Sequence, residues 1–174
     1  MRLNSTFSNP EAYRLGALSF FIAFAAIVAA LGFEVLAGHA PCPLCLQERY
    51  AYYVGVPLLF LGLVGLSTGH YESSAGAFAL VGLAFLANMV LGGYHAGIEW
   101  GFWEGPSTCS GALQPLESTA DLLKGLSKPK VVRCDSAGWR LFGLSFAGWN
   151  AVISAFLWIT CWQASRAARE SLIA

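Results

Sequence analysis

Apolar residues fall in four long runs, separated by connections of very unequal length. The runs are "LGALSFFIAFAAIVAALGFEVLAG" (about 15–38), "YAYYVGVPLLFLGLVGLS" (about 50–67), "SAGAFALVGLAFLANMVLGGYHAG" (about 74–97) and "LFGLSFAGWNAVISAFLWITCW" (about 141–162). None alternates with the period of two that marks a half-buried strand. Each is close to or above the roughly 20 helical residues that cross a hydrocarbon core of roughly 30 Å. Open sheet edges are excluded from lipid, so the pattern predicts helices. The expected fold class is an all-α membrane protein, a four-transmembrane-helix bundle forming a single integral membrane domain over 1–174. The first run is longer than the roughly 7–15 apolar residues of a secretory signal, so it reads as a retained helix.

Details inside the runs fit a compact bundle. Gly93 and Gly97 stand at GxxxG spacing, and Gly55, Gly62, Gly82 and Gly92 offer close helix approach. Pro57 predicts a kink in the second helix. Asn88 reads as a hydrogen-bonding residue between helices.

Composition agrees. Apolar residues make up 56% of the chain and charged residues 11%, against about a quarter charged in a soluble domain. The formal net charge is zero and no long basic stretch is present, which argues against nucleic acid as a partner.

The connections carry the polar chemistry. The first, about 39–49, holds Cys42 and Cys45; the second, "TGHYES", is a short turn; the third, about 98–140, holds Cys109 and Cys134. Four crossings put the first and third connections on one side and both termini on the other. Charge does not fix the side. Arg2 and Arg14 favour an inside N-terminus, while Arg49, Lys124, Lys128, Lys130, Arg133 and Arg140 in the connections oppose it. Cysteine usage decides, because disulfides persist outside the cytosol. The expected location is a bacterial inner membrane, with both cysteine loops periplasmic and both termini cytoplasmic.

Zinc held by four cysteines calls for two short hooks. Cys109 and Cys134 lie 25 positions apart, and no His completes a second hook. Copper handling favours Met ligands, and only Met1 and Met89 are present. A Cys-x-x-Cys bridge closes a very short loop and belongs to the reducible kind more often than the inert kind. Cys45 comes just before the expected second helix, whose N-terminus carries partial positive charge, and Arg49 follows one helical turn later. Both features favour a thiolate. Pro41 and Pro43 restrict the backbone around Cys42. Glu48 receives no role. In the long connection, Leu113, Leu116, Ala120, Leu123 and Leu126 at helical spacing predict a short amphipathic interfacial helix. The flanking Cys109 and Cys134 would then form an exposed, flexible pair open to another protein. Cys161, in "WITCWQ", reads as a buried apolar thiol.

"PCPLCLQER" before the second run, a later cysteine pair and "GWRLFGLSFAGW" entering the fourth run together resemble the DsbB family, bacterial membrane thiol:quinone oxidoreductases. In the related vitamin K epoxide reductase family the loop pair comes first; here it comes second. The resemblance implies that a DsbA-type periplasmic oxidase attacks Cys109. Cys134 then attacks Cys42, and Cys45 is freed as a thiolate beside ubiquinone or menaquinone. It implies a quinone-binding and thiolate-stabilising role for Arg49, places His95 near the quinone, and matches Trp139 to a loop tryptophan. The segment between Cys109 and Cys134 is the least family-like part. The competing readings are a vitamin K epoxide reductase-like enzyme, a paralogue dedicated to one substrate oxidase, and a non-enzymatic membrane protein with structural disulfides.

Overall fold

The structure is a computed structural model that describes residues 10–38, 41–106, 109, 133–135 and 140–171. The expected interfacial helix and Trp139 lie outside the described residues. Among the described residues four long helices pack as a bundle: α1 (Pro10–Ala37), α2 (Pro43–Ser67), α3 (Tyr71–Glu99) and α4 (Phe146–Glu170). α1 and α3 each lie against both α2 and α4, so the helices follow chain order around the bundle.

Three of the four are long and apolar enough to cross a membrane: α1, α2 and α3. α4 is less apolar because its inward face carries Ser154, Thr160 and Ser165, all buried, beside the half-buried Asn150. Burial is inverted relative to a soluble protein. Phe21, Leu36, Val54, Leu61 and Val90 point outward, whereas Ser19, Ser74 and Asn88 are enclosed. An apolar surface of this extent fits lipid.

Several element boundaries differ from those expected. α2 begins at Pro43, not near Tyr50, so the first connection shrinks to a few residues. Proline suits the first helical turn, because its missing N–H has no helical partner there. Cys42 is the N-cap, and its Sγ accepts a hydrogen bond from the Cys45 amide at 3.1 Å. Helix α2 then continues through Pro57 to Ser67. The start of the expected fourth run is instead a hairpin, in which β1 (Arg140–Leu141) pairs antiparallel with β2 (Leu144–Ser145). Phe142 and Gly143 both have positive φ, the geometry of a two-residue primed turn. Ser145 then caps α4 through its hydroxyl, which accepts from the Gly148 amide.

The core is built from large residues set against glycines. A Cβ on Gly16 of α1 or Gly62 of α2 would stand 2.8 Å from the Phe78 ring of α3, and one on Gly55 would stand 3.1 Å from Phe85. Gly92 lets α3 approach the α4 backbone, with Ala151 N and Ala147 O at 3.1 and 3.2 Å from its Cβ position. The GxxxG pair has another use: Gly93 faces open space, and Gly97 lies under the Trp103 ring. Asn88 does bond between helices, donating to Asn150 at 3.2 Å and Ser154 at 3.0 Å, while Tyr52 of α2 donates to Asn150 at 2.7 Å. Ser19 and Thr160 tie α1 to α4, and Ser165 donates to the Ala75 carbonyl of α3. Cys161 is a free thiol buried in this core.

Candidate redox site

The end of α3 brings the long connection back onto α2. Trp100 closes the helix, and Gly101 takes a left-handed φ of 75°. The Gly101 amide donates to Ile98 O and the Phe102 amide to Gly97 O, the paired bonds of a Schellman turn. Trp103 folds back over Gly97, stacks on Tyr94 and donates its indole N–H to the Tyr94 carbonyl at 3.0 Å. From there the chain reaches Cys109, whose amide donates to Pro106 O.

Two disulfides meet at this corner. Cys42 is bonded to Cys45 and Cys109 to Cys134. Cys42, Cys109 and Cys134 form one buried apolar cluster with Leu44 and Ile98, and Cys45 and Leu91 pack against it. The two loops are thus on one end of the bundle and in contact. The expected exposed and flexible loop pair is corrected: Cys109 is 2% exposed and Cys134 1%. A disulfide has little hydrogen-bonding capacity, and packing it against Ile98 removes apolar surface from water. Cys109 also lines an open groove of about 580 Å³ with Phe102, Trp103, Glu104, Gly105 and Asp135. Asp135 is hydrogen-bonded to and paired with Arg133, which holds its carboxyl below the usual carboxylate range. Among the four paired cysteines Cys45 is the least enclosed, and Leu46, next to it in the first turns of α2, is exposed.

His95 stands at the centre of the polar side. It is 2% exposed, with Nε2 at 3.6 Å from Cys42 Sγ and Nδ1 at 2.8 Å from Glu48 Oε1. Glu99, one turn later on α3, places Oε1 4.0 Å from His95 Nε2, and its buried Oε2 has no hydrogen-bond partner among the described residues. Glu48, given no role from sequence, therefore orients the imidazole. The signal was its spacing of four residues from both Leu44 and Tyr52, which sets it on the buried face of α2. Arg49 is one turn past Cys45, but its guanidinium donates to Glu34 of α1. The structure brings His95 to a cysteine sulfur; it ties Arg49 to α1.

The family model for "Disulfide bond formation protein DsbB" matches residues 13–164, nearly the whole chain. The chain belongs to the DsbB family. Within that DsbB family, the Disulfide bond formation protein B of Azoarcus sp. (strain BH72) is 30% identical over 142 residues, covering 75% of this chain and 81% of the relative. The Disulfide bond formation protein B of Methylococcus capsulatus is 29% identical over 172 residues, covering 90% and 98%. No solved structure matches. DsbB membership, the paired cysteines and the apolar helices make this a membrane disulfide oxidoreductase that acts in disulfide bond formation.

Proposed function

We propose that the chain is a dithiol:quinone oxidoreductase of the bacterial inner membrane, which reoxidises a periplasmic DsbA-type oxidase and delivers the electrons to ubiquinone or menaquinone. α4 completes four crossings, and the cysteine corner lies at the periplasmic side. The observation that carries this reading is the packing of both disulfides in one buried cluster. It gives electrons a route from a groove open to another protein to a sulfur near lipid.

Each exchange forms one S–S bond and breaks one. A partner thiolate attacks Cys109 Sγ along the groove and releases Cys134 as a thiolate. Cys134 attacks Cys42 and releases Cys45. The partner's second thiol resolves the mixed disulfide, so the partner leaves oxidised, and Cys109 then recaptures Cys134. The net result is two electrons and two protons on Cys42 and Cys45.

The leaving Cys45 thiolate sits in the first turn of α2, where amide dipoles favour negative charge. His95, fixed through Nδ1 by Glu48, presents Nε2 to Cys42 and can hold its proton. Arg49 supplies positive charge on the Cys45 face of α2. A half-buried sulfur beside outward apolar side chains suits an oxidant dissolved in lipid. When bound, the quinone supplies the two-electron acceptor chemistry that side chains lack.

The test is to mix purified protein with a reduced DsbA-type dithiol and a soluble ubiquinone analogue, then follow the quinone's ultraviolet absorbance. The reading expects absorbance to fall in step with partner oxidation and the fall to be absent in Cys45→Ser. Folded protein that oxidises no partner and reduces no quinone would overturn it.

A further inference from the structure

Sequence alone sets zinc aside because Cys109 and Cys134 lie 25 positions apart and no His completes a second hook to match "CPLC". Folding changes the donor set, since α3 delivers His95 from 50 positions beyond Cys45. Cys42 Sγ, Cys45 Sγ and a ring nitrogen of His95 lie within 4.8 Å of one another. We propose that reducing the Cys42–Cys45 bond converts this corner into a site for a thiophilic divalent cation, zinc being the best fit. Cys42, Cys45 and His95 are the ligands, and Glu99, which lies just outside that group, moves in as the fourth.

Three features support a site rather than a coincidence of neighbours. The first is distance. Zn–N near 2.05 Å and Zn–S near 2.3 Å at a tetrahedral angle put N and S roughly 3.5 Å apart. His95 Nε2 is 3.6 Å from Cys42 Sγ. The second is the imidazole's far side, where Nδ1 meets the Glu48 carboxylate at 2.8 Å. A carboxylate on that nitrogen aims the other one at the cation and raises its basicity, the usual outer-shell arrangement of zinc histidines. The third is Glu99. Its side chain is 6% exposed, and Oε1 lies 4.0 Å from His95 Nε2, the ring nitrogen that also faces Cys42. Its Oε2 has no hydrogen-bond partner among the described residues. A buried carboxylate oxygen without a partner is costly, and a cation would satisfy it.

The chemistry balances without a further oxidant. A dithiol reduces the bond and leaves as its own disulfide, giving two thiols on Cys42 and Cys45. Zn2+ then displaces the two thiol protons and binds two thiolates, with no electron transferred. A bound pair cannot re-form its S–S bond, so the cation arrests the chain in its reduced form. The oxidised form has no thiolates at this site to offer. The site thus makes disulfide formation sensitive to zinc in the reduced half of the cycle only.

The inference does not rest on the quinone reading, and its test needs neither quinone nor partner. Full-length protein carrying Cys109→Ser and Cys134→Ser is reduced with dithiothreitol, freed of it anaerobically and titrated with Co2+, then with Zn2+. The expected result is thiolate-to-cobalt absorption that saturates at one Co2+ per chain and is abolished by Zn2+. It should be absent from the oxidised protein and unchanged by Cys161→Ser. Replacing a second-shell group costs about 10–100-fold in metal affinity. Glu48→Gln should therefore weaken binding by about tenfold or more while the band persists, and His95→Ala should weaken it further. No thiolate band in reduced protein whose helical circular dichroism is intact would overturn the site. So would a band with unchanged affinity in His95→Ala.

Discussion

Two stretches of α3, barely a turn apart, follow opposite rules. Around Phe85, Asn88 and Gly92 the helix is packed for stability. The ring fills space left by Gly55, the amide bonds two α4 side chains, and the glycine admits the α4 backbone. Around His95 and Glu99 the same helix encloses titratable groups against sulfur, one carboxylate oxygen without a partner. Polar groups in the first stretch hold helices together with uncharged hydrogen bonds. Those in the second can exchange protons and bind charge, at a cost that packing alone would not justify. The difference separates the part that keeps the bundle assembled from the part proposed to do chemistry.

Substitutions should separate the two parts in order of effect. Cys45→Ser should abolish partner-driven quinone reduction with little change in thermal unfolding, measured by quinone absorbance and by circular dichroism. Cys109→Ser should abolish partner oxidation as fully, yet leave quinone able to oxidise Cys42 and Cys45 after a small dithiol reduces them. Normal electron uptake from the partner by that variant would place the first attack elsewhere. His95→Ala should slow quinone reduction by about a hundredfold, in the range of a lost proton-transfer group, with partner exchange at Cys109 retained. Arg49→Ala should weaken quinone use by about tenfold, the effect of roughly 1.4 kcal/mol, and more than it weakens partner exchange. Equal loss of both rates would point to loosened α1–α2 packing through Glu34. Asn88→Leu should cost about 1 kcal/mol of stability, typical of a hydrogen bond between membrane helices, and leave turnover unchanged. A large fall in turnover there would erase the division between the two stretches.

Much of this was legible in the sequence. The four apolar runs anticipate the four helices, and "CPLC" marks one disulfide pair directly because its residues are neighbours. Boundaries were less legible. Hydropathy begins the second helix at Tyr50, since "PCPLCLQER" is mixed in polarity, whereas capping chemistry at Cys42 and Pro43 starts it seven residues earlier. Leu141 and Leu144 look like helix but form a hairpin, because Phe142–Gly143 adopts a turn with positive φ. Of the site's polar half only His95 was indicated, by the family resemblance; Glu48 and Glu99 stayed hidden, since the three come from two helices and only folding makes them neighbours. The burial of Cys109 and Cys134 was hidden for the same reason: cysteines in a turn-rich sequence read as exposed until folding packs them against Ile98.

The central claim is that electrons pass between the two cysteine pairs across this buried corner. Its most direct test is a chain carrying Cys45→Ala and Cys109→Ala, oxidised mildly in detergent, digested and mapped by mass spectrometry for disulfide-linked peptides. The account predicts that Cys42 and Cys134 become joined in most molecules, as monomer and without partner protein. Recovery of both as free thiols, in protein that retains its helical content, would contradict it.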